Sequence, residues 1–400
     1  MHSNVINFIP SVQSLRSARA NKARQIARQV ASLWQPAPQR IAIFRALQLG
    51  DMLCSIPALR ALRAAAPHAR IVLVGLPSAR VILERYPHYI DELVLFPGVP
   101  EFPEQPADVE ALPAFFEAMR ARNFDLAIQL HGSGSIANDI VRKFGAKLTA
   151  GFKPDEQDTD DVRDGCFMRW PEQLPEVHRY IEMMKFIGAR SAGDHLELPL
   201  HEADWSEWTN LAREHGLEEG RYVCLHVGAR LPSRRWPLER FAEVAAYFIG
   251  RGKTIVLTGA TEERPLVDAL RPILEADIRN RGNAVGNDDV NPHIVDLCGR
   301  TTLGGLAALI ASSQLLVCND TGVSHVAAAV GARSVVIASG SDVTRWAPLD
   351  RERHRVLAHH VPCRPCSHHE CPTDHACARG VSPAMVIEQT EHLMGEMHAA

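Results

Sequence analysis

Three short stretches of this chain place ionisable side chains beside small residues at spacings that could do chemistry. The first runs from Ile41 to Pro57, where an apolar run ends near Arg45, Gly50 permits a close backbone approach and Asp51 stands at the mouth of the next helix. A carboxylate there is stabilised by the helix dipole and suits a simple cap. The same placement also presents a general base at a strand end. The second stretch, Cys318 to His325, follows a strand pattern and opens a helix that continues through Val330. Backbone N–H groups near Thr321 and Gly322, a hydroxyl and an imidazole on one turn make a pyrophosphate cradle, with Asp320 at its edge. Asp and Thr are equally ordinary helix caps. The third stretch is His226 to Arg230 followed by Ser233, Arg234, Arg235, Trp236 and Pro237. Adjacent guanidiniums suit diphosphate charge, or else form a solvated corner with arginine stacked on tryptophan.

A fourth cluster lies near the C-terminus. Cys363, Cys366, Cys371 and Cys377 fall with three histidines inside fifteen residues. Thiolates at this density suggest a tetrahedral structural zinc or iron site, although the spacings match no standard finger. The other five of the nine cysteines are scattered, mostly within or beside apolar segments, as expected of buried reduced thiols.

The elements that must position these groups alternate in the manner of a helix-covered parallel sheet. Strands are expected at Ile41–Phe44, Ile71–Gly75, Glu92–Phe96 and Asp125–Leu130, with a helix opening at Pro57. The acidic stretch Asp155–Asp164 is expected as an exposed loop. The pattern restarts near Leu198, with strands at Tyr222–Val227, Thr254–Thr258, Ile294–Leu297, Leu315–Asn319 and Ser334–Ala338. The expected organisation is a basic helical extension (1–39), an N-terminal α/β domain (40–200) and a C-terminal α/β domain (201–400). Ligands in such folds lie beyond the C-terminal ends of the strands.

Composition is consistent with this. A chain of 400 residues, 46% apolar and 22% charged, is globular and long enough for two cores. A net charge of −4 gives no global basic field for nucleic acid. No apolar run approaches the roughly 20 residues that span a bilayer. Without a secretory signal pattern at the start, a cytoplasmic location is the expectation. No acidic residue precedes Asp51, and apolar residues recur at helical spacing between arginines in residues 11–34. That segment is suited either to packing on the protein or to peripheral contact with the inner membrane.

Taken in order, "RALQLGDMLCSIPALRALRAAAPHARI", "GARLPSRRWPLERFAEVA" and "CNDTGVSHVAAAVGARSVVI" resemble glycosyltransferase family 9, the ADP-heptose:lipopolysaccharide heptosyltransferases. The resemblance runs from about residue 40 to 390. It implies a GT-B fold, two Rossmann-like domains facing a central cleft. It also implies an inverting, cofactor-free transfer of a sugar, heptose in this family, from an ADP-sugar to a glycan or lipid-linked saccharide acceptor. By the same resemblance Asp51 is the general base, Asp320, Thr321, Gly322 and His325 bind the donor diphosphate, and Glu262, or its neighbour Glu263, binds the ribose. Arg234 falls where the family commonly has a phosphate-binding lysine, and the two cations are not equivalent. A non-catalytic nucleotide-sugar-binding scaffold and a GT-B-like sugar-nucleotide epimerase are the alternative readings.

Overall fold

The computed structural model describes residues 34–154, 166–285 and 294–399. Most of the basic extension and the acidic stretch Asp155–Asp164 therefore lie outside the described residues, and so do the expectations attached to them. The chain divides into two compact units. One comprises residues 1–47, 57–172 and 179–193, and the other comprises 48–56, 173–178 and 194–400. Asp51 thus groups with the C-terminal unit.

The first unit carries β1 (Arg40–Phe44), α1 (Leu49–Ala65, whose first eight residues group with the second unit), β2 (Arg70–Gly75), α2 (Arg80–Arg85) and β3 (Glu92–Leu95). It continues with α3 (Leu112–Ala121), β4 (Leu126–Gln129), α4 (Ser135–Arg142), β5 (Leu148–Lys153), β6 (Cys166–Arg169) and α5 (Glu176–Phe186). Its six strands are all parallel, in the order β3-β2-β1-β4-β5-β6. Central strands buried on both faces read as continuous β-branched runs, which is why IAIF and IVLV were legible. Burial of Phe44, Val74, Phe124, Ile140 and Phe144 builds the core on one face of the sheet.

The second unit opens with α6 (Glu202–His215), followed by β7 (Tyr222–His226), α7 (Leu238–Ile249), β8 (Thr254–Thr258), α8 (Arg264–Val285), β9 (Ile294–Asp296) and α9 (Leu303–Ala311). It closes with β10 (Leu315–Asn319), α10 (Gly322–Ala329), β11 (Ser334–Ile337), α11 (Val343–Trp346), β12 (His354–Leu357), α12 (Ala376–Arg379) and α13 (Pro383–Ala399). Its strand order, β12-β11-β10-β7-β8-β9, is the first sheet's order read from the other edge. Each sheet therefore reverses direction between its first and fourth strands, the switch point at which such folds place ligands. Trp236, Phe241 and Phe248 pack with Val381, Val386 and Leu393 in one core.

The sequence-based expectations miss β5, β6 and β12. β6 and β12 are four-residue edge strands, the first ending on Arg169 and the second opening on His354 and Arg355. β5, LTAGFK, is interrupted by Gly151, which weakens a strand pattern. The helix expected to open at Pro57 begins eight residues earlier, and Pro57 lies inside it. Proline has no N–H to donate and usually marks a first turn. Here burial of Met52, Leu53, Cys54 and Ile56 holds the preceding turns in place.

Candidate functional site in the C-terminal unit

At the switch point of the second sheet, β10 ends on Asn319, which is fully buried. Its Nδ2 donates to the carbonyl of Val227 at 2.8 Å and to that of Gly228 at 3.2 Å, while its Oδ1 accepts the Trp236 N–H at 2.9 Å. One amide thus ties the loop after β7 to the end of β10. Asn319 stood within a recognised motif without being singled out, because a buried amide in a strand has no spacing signature.

The chain then turns into α10. Thr321 is the N-cap, in extended conformation, and its carbonyl accepts both the N–H of Ser324 (2.9 Å) and the Ser324 hydroxyl (2.8 Å). The N–H groups of Gly322 and Val323 belong to the first turn and have no acceptor within the helix, as at any helix start. Gly50 is packed against it: a Cβ on Gly50 would fall 2.9 Å from the Gly322 Cα and 3.2 Å from His325 Cδ2. Two glycines therefore let the first turn of α1 meet the first turn of α10. Asp51 lies in that turn of α1.

His325 is buried. Burial pushes its imidazole below the ordinary value, against the Coulombic pull of Asp320, Asp51 and Glu176 in turn. The Cys54 thiol stands 3.7 Å from its Nδ1. Glu176, 1% exposed, is paired twice to Arg345, at 2.7 and 3.2 Å. Neither Glu176 nor Arg345 carried a sequence signal, since they are separated by 169 residues.

Arg234 ends a short 3-10 turn and is half-buried. Its Nη2 donates to the Cys366 carbonyl at 2.6 Å. Burial lowers its pKa, while Asp320 favours its charge. Trp236 does not form the arginine-stacked corner weighed from sequence: it is in the core, donating from Nε1 to the Val381 carbonyl at 3.0 Å and meeting Phe241 edge-on. The structure thus brings Arg234, Asp320 and the α10 turn into one electrostatic neighbourhood.

Glu262 is exposed on the turn after β8. Its neighbour Glu263 is already engaged, accepting from the Ala260 N–H at 2.8 Å and lying 3.5 Å from His226 Nε2. A Cβ on Gly228 would collide with the Glu263 carboxylate, which would have to swing aside.

The cysteine-rich segment behaves differently from expectation. Cys363 is exposed, Cys366 and Cys371 are half-buried, Cys377 is buried, and all four are free thiols. Among the described residues no group of three or more His, Cys, Asp or Glu side chains is gathered to hold a metal ion. The segment's polar groups instead clasp the Arg234 turn: Ser233 N–H donates to the His369 carbonyl (3.0 Å), the Ser233 hydroxyl donates to the His368 carbonyl (2.6 Å), and His375 Nε2 donates to the Ser233 carbonyl (2.9 Å). Among the described residues, no helix is long and apolar enough to cross a membrane.

Two six-stranded parallel sheets of Rossmann-like order, each with flanking helices, place the chain in the GT-B fold class. Residues 113–377 match glycosyltransferase family 9 (heptosyltransferase), and the chain belongs to that family. It is 27% identical over 185 residues to lipooligosaccharide heptosyltransferase 2 of Campylobacter jejuni, a match covering 46% of this chain and 54% of that protein. The chain spans about half the length of the Campylobacter relatives it matches. It is 27% identical over 329 residues to lipopolysaccharide heptosyltransferase 2 of Escherichia coli, covering 77% of this chain and 85% of that one. In fold it is similar to the crystal structure of the family 9 glycosyl transferase of Veillonella parvula, with a TM-score of 0.70 and 23% identity over 90% of this chain and 98% of that one.

Proposed function

We propose that this chain is an inverting glycosyltransferase that moves a heptose from ADP-heptose to a hydroxyl of a lipopolysaccharide-core acceptor. The observation that carries this reading is the contact of Gly50 with Gly322 and His325, which sets Asp51 beside the proposed diphosphate turn. In this scheme the donor diphosphate lies on the N–H groups of Gly322 and Val323, flanked by Thr321, His325 and Arg234. Oriented donors and a fixed cation stabilise the charge that develops on departing ADP. Asp320 favours the charge on Arg234. Glu262 takes the ribose hydroxyls, because Glu263 is committed to Ala260.

The acceptor oxygen attacks the anomeric carbon from the face opposite the diphosphate, the bond from that carbon to the phosphate oxygen breaks, and the acceptor proton passes to the Asp51 carboxylate. Asp51→Asn should keep ADP affinity and lose about 10²- to 10⁴-fold in turnover, the usual range for a general base. Near-normal turnover at saturating substrates in this variant would remove Asp51 from the mechanism.

A further inference from the structure

The cysteine-rich segment does more than brace a loop. Arg364 lies between Cys363 and Cys366, and its Nε donates to the Ser341 carbonyl at 2.7 Å and its Nη1 to the His359 carbonyl at 3.2 Å. The neighbouring Cys366 N–H donates to the Gly340 carbonyl at 2.7 Å, and the Cys366 carbonyl accepts Arg234. Gly340, at φ +63°, is the point of closest packing: a Cβ there would meet Cys366 Cβ at 3.2 Å and Arg234 Cδ at 3.9 Å. The loop that follows β11 is thereby pressed between the Arg234 turn and the Arg364 turn, at the C-terminal end of the sheet.

Both guanidiniums are part-buried and fixed by backbone carbonyls. Among the described residues, neither lies within ion-pair distance of a carboxylate. Arg364 Nη2, Arg234 Nε and the hydroxyls of Ser339 and Ser341 are buried without a hydrogen-bond partner, and both serines are nine-tenths buried or more. Leaving a buried charged donor unpaired is costly, and two like charges brought together raise that cost. Burial is the main effect opposing charge on Arg364, with Arg234 adding to it and Asp320 opposing it. A cluster with surplus donors and surplus positive charge is one that a ligand bearing several negative charges would stabilise.

We propose that Arg364 is a second diphosphate-binding guanidinium beside Arg234, so that the segment 363–377 and the Ser339–Ser341 loop form one wall of the donor site. This rests on the donor reading above and extends it to a segment to which the sequence assigned a metal. Two arginines on one diphosphate allow bidentate contacts that a single point charge does not. The Cys366 backbone, bonded to Gly340 and Arg234, then ties the Arg364 turn to both.

Calorimetric titration of the full chain with ADP, adenosine and inorganic pyrophosphate tests this. Arg364→Gln should weaken ADP and pyrophosphate by about 10- to 100-fold, the range of a lost charge-assisted contact, while adenosine affinity stays as in the unaltered chain. Arg364→Lys should recover part of that loss. A purely bracing role predicts instead that ADP and adenosine weaken in parallel, and that outcome overturns the proposal. Unchanged ADP affinity in folded Arg364→Gln overturns it too, while leaving the donor reading intact if Arg234→Ala still weakens ADP. Should Arg364→Gln fail to fold, Arg364→Lys decides alone: a loss confined to ADP and pyrophosphate supports the proposal, and none overturns it. If the unaltered chain does not bind ADP, the donor reading falls and this inference with it.

Discussion

The two sheets share a strand order and differ in what fills the switch point. In the first unit the end of β1 carries Arg45, fully buried, whose Nη1 donates to the Leu130 carbonyl beyond β4 and whose guanidinium lies 4.3 Å from the Tyr180 ring centroid. Beside it His131 accepts the Ala46 N–H at 3.3 Å and stacks on Phe102 at 4.2 Å. That switch point is packed with side chains. In the second unit the corresponding positions after β7 and β10 are Gly228 and the Asp320–Gly322 turn, joined through the Asn319 amide. Strand order alone therefore does not make a nucleotide site. Both crossings carry glycines and a helix N-terminus, so on the donor reading proposed above it is the filling of the first crossing by Arg45 and His131 that sets the two apart.

The sharpest way to break that comparison is to damage each crossing in turn. Asn319→Leu strands the Val227 and Gly228 carbonyls and the Trp236 N–H, each costing about 1–3 kcal/mol when buried unpaired. Both thermal stability and ADP affinity should fall. Arg45→Met should lower stability by about 1–3 kcal/mol through the Leu130 carbonyl and leave ADP affinity unchanged. Equal losses of ADP affinity in the two variants would mean that the crossings are not functionally distinct.

Glycines sharpen the contrast at smaller scale. Gly50→Ala forces a Cβ against the Gly322 backbone, a local overpacking of about 1–3 kcal/mol, and should weaken ADP binding and slow transfer together. Gly132, at φ +63°, follows His131 in the first unit and has open space where a Cβ would stand. Gly132→Ala should therefore cost only the left-handed backbone penalty, about 1–2 kcal/mol, with ADP affinity intact. Titration of both variants with ADP, beside their melting curves, separates steric from conformational glycines.

Much of this contrast was legible in the sequence, and its gaps have physical causes. Nine strands could be read because buried parallel strands are apolar runs, and the α10 turn could be read because its polar residues are contiguous. Pairings across long separations could not: Glu176 with Arg345, Asn319 with Val227, and Arg364 with the Ser339–Ser341 loop become visible only in three dimensions. The cysteine cluster shows the same limit: its spacing suggested ligands for an ion, and it gave no sign that the His368 and Cys366 carbonyls and the His375 imidazole engage Ser233 and Arg234.

The last prediction concerns acid. His131 in the first unit and His354 in the second are both buried, and burial lowers them from an ordinary value of 6.5 to about 3 and about 4. Arg45 adds to the shift at His131, whereas Asp350 opposes it at His354. Above pH 6.5 each imidazole is neutral whether the chain is folded or unfolded, and its contribution to stability is fully present. As pH falls below that value the unfolded chain takes up a proton that the folded chain refuses. Each histidine then removes stability with a slope of about 1.4 kcal/mol per pH unit until its folded value is reached. The loss should level off near pH 4 for His354 and continue toward pH 3 for His131. Melting curves of the full chain from pH 7 to 4 should show this fall, made shallower in His131→Gln and in His354→Gln. His354 also donates or accepts at 2.8 Å with the Ser334 hydroxyl, so its variant should start from a lower melting temperature at pH 7. An unaltered acid slope in both variants would assign the pH response to other groups, the buried His226 and His325 and the carboxylates among them.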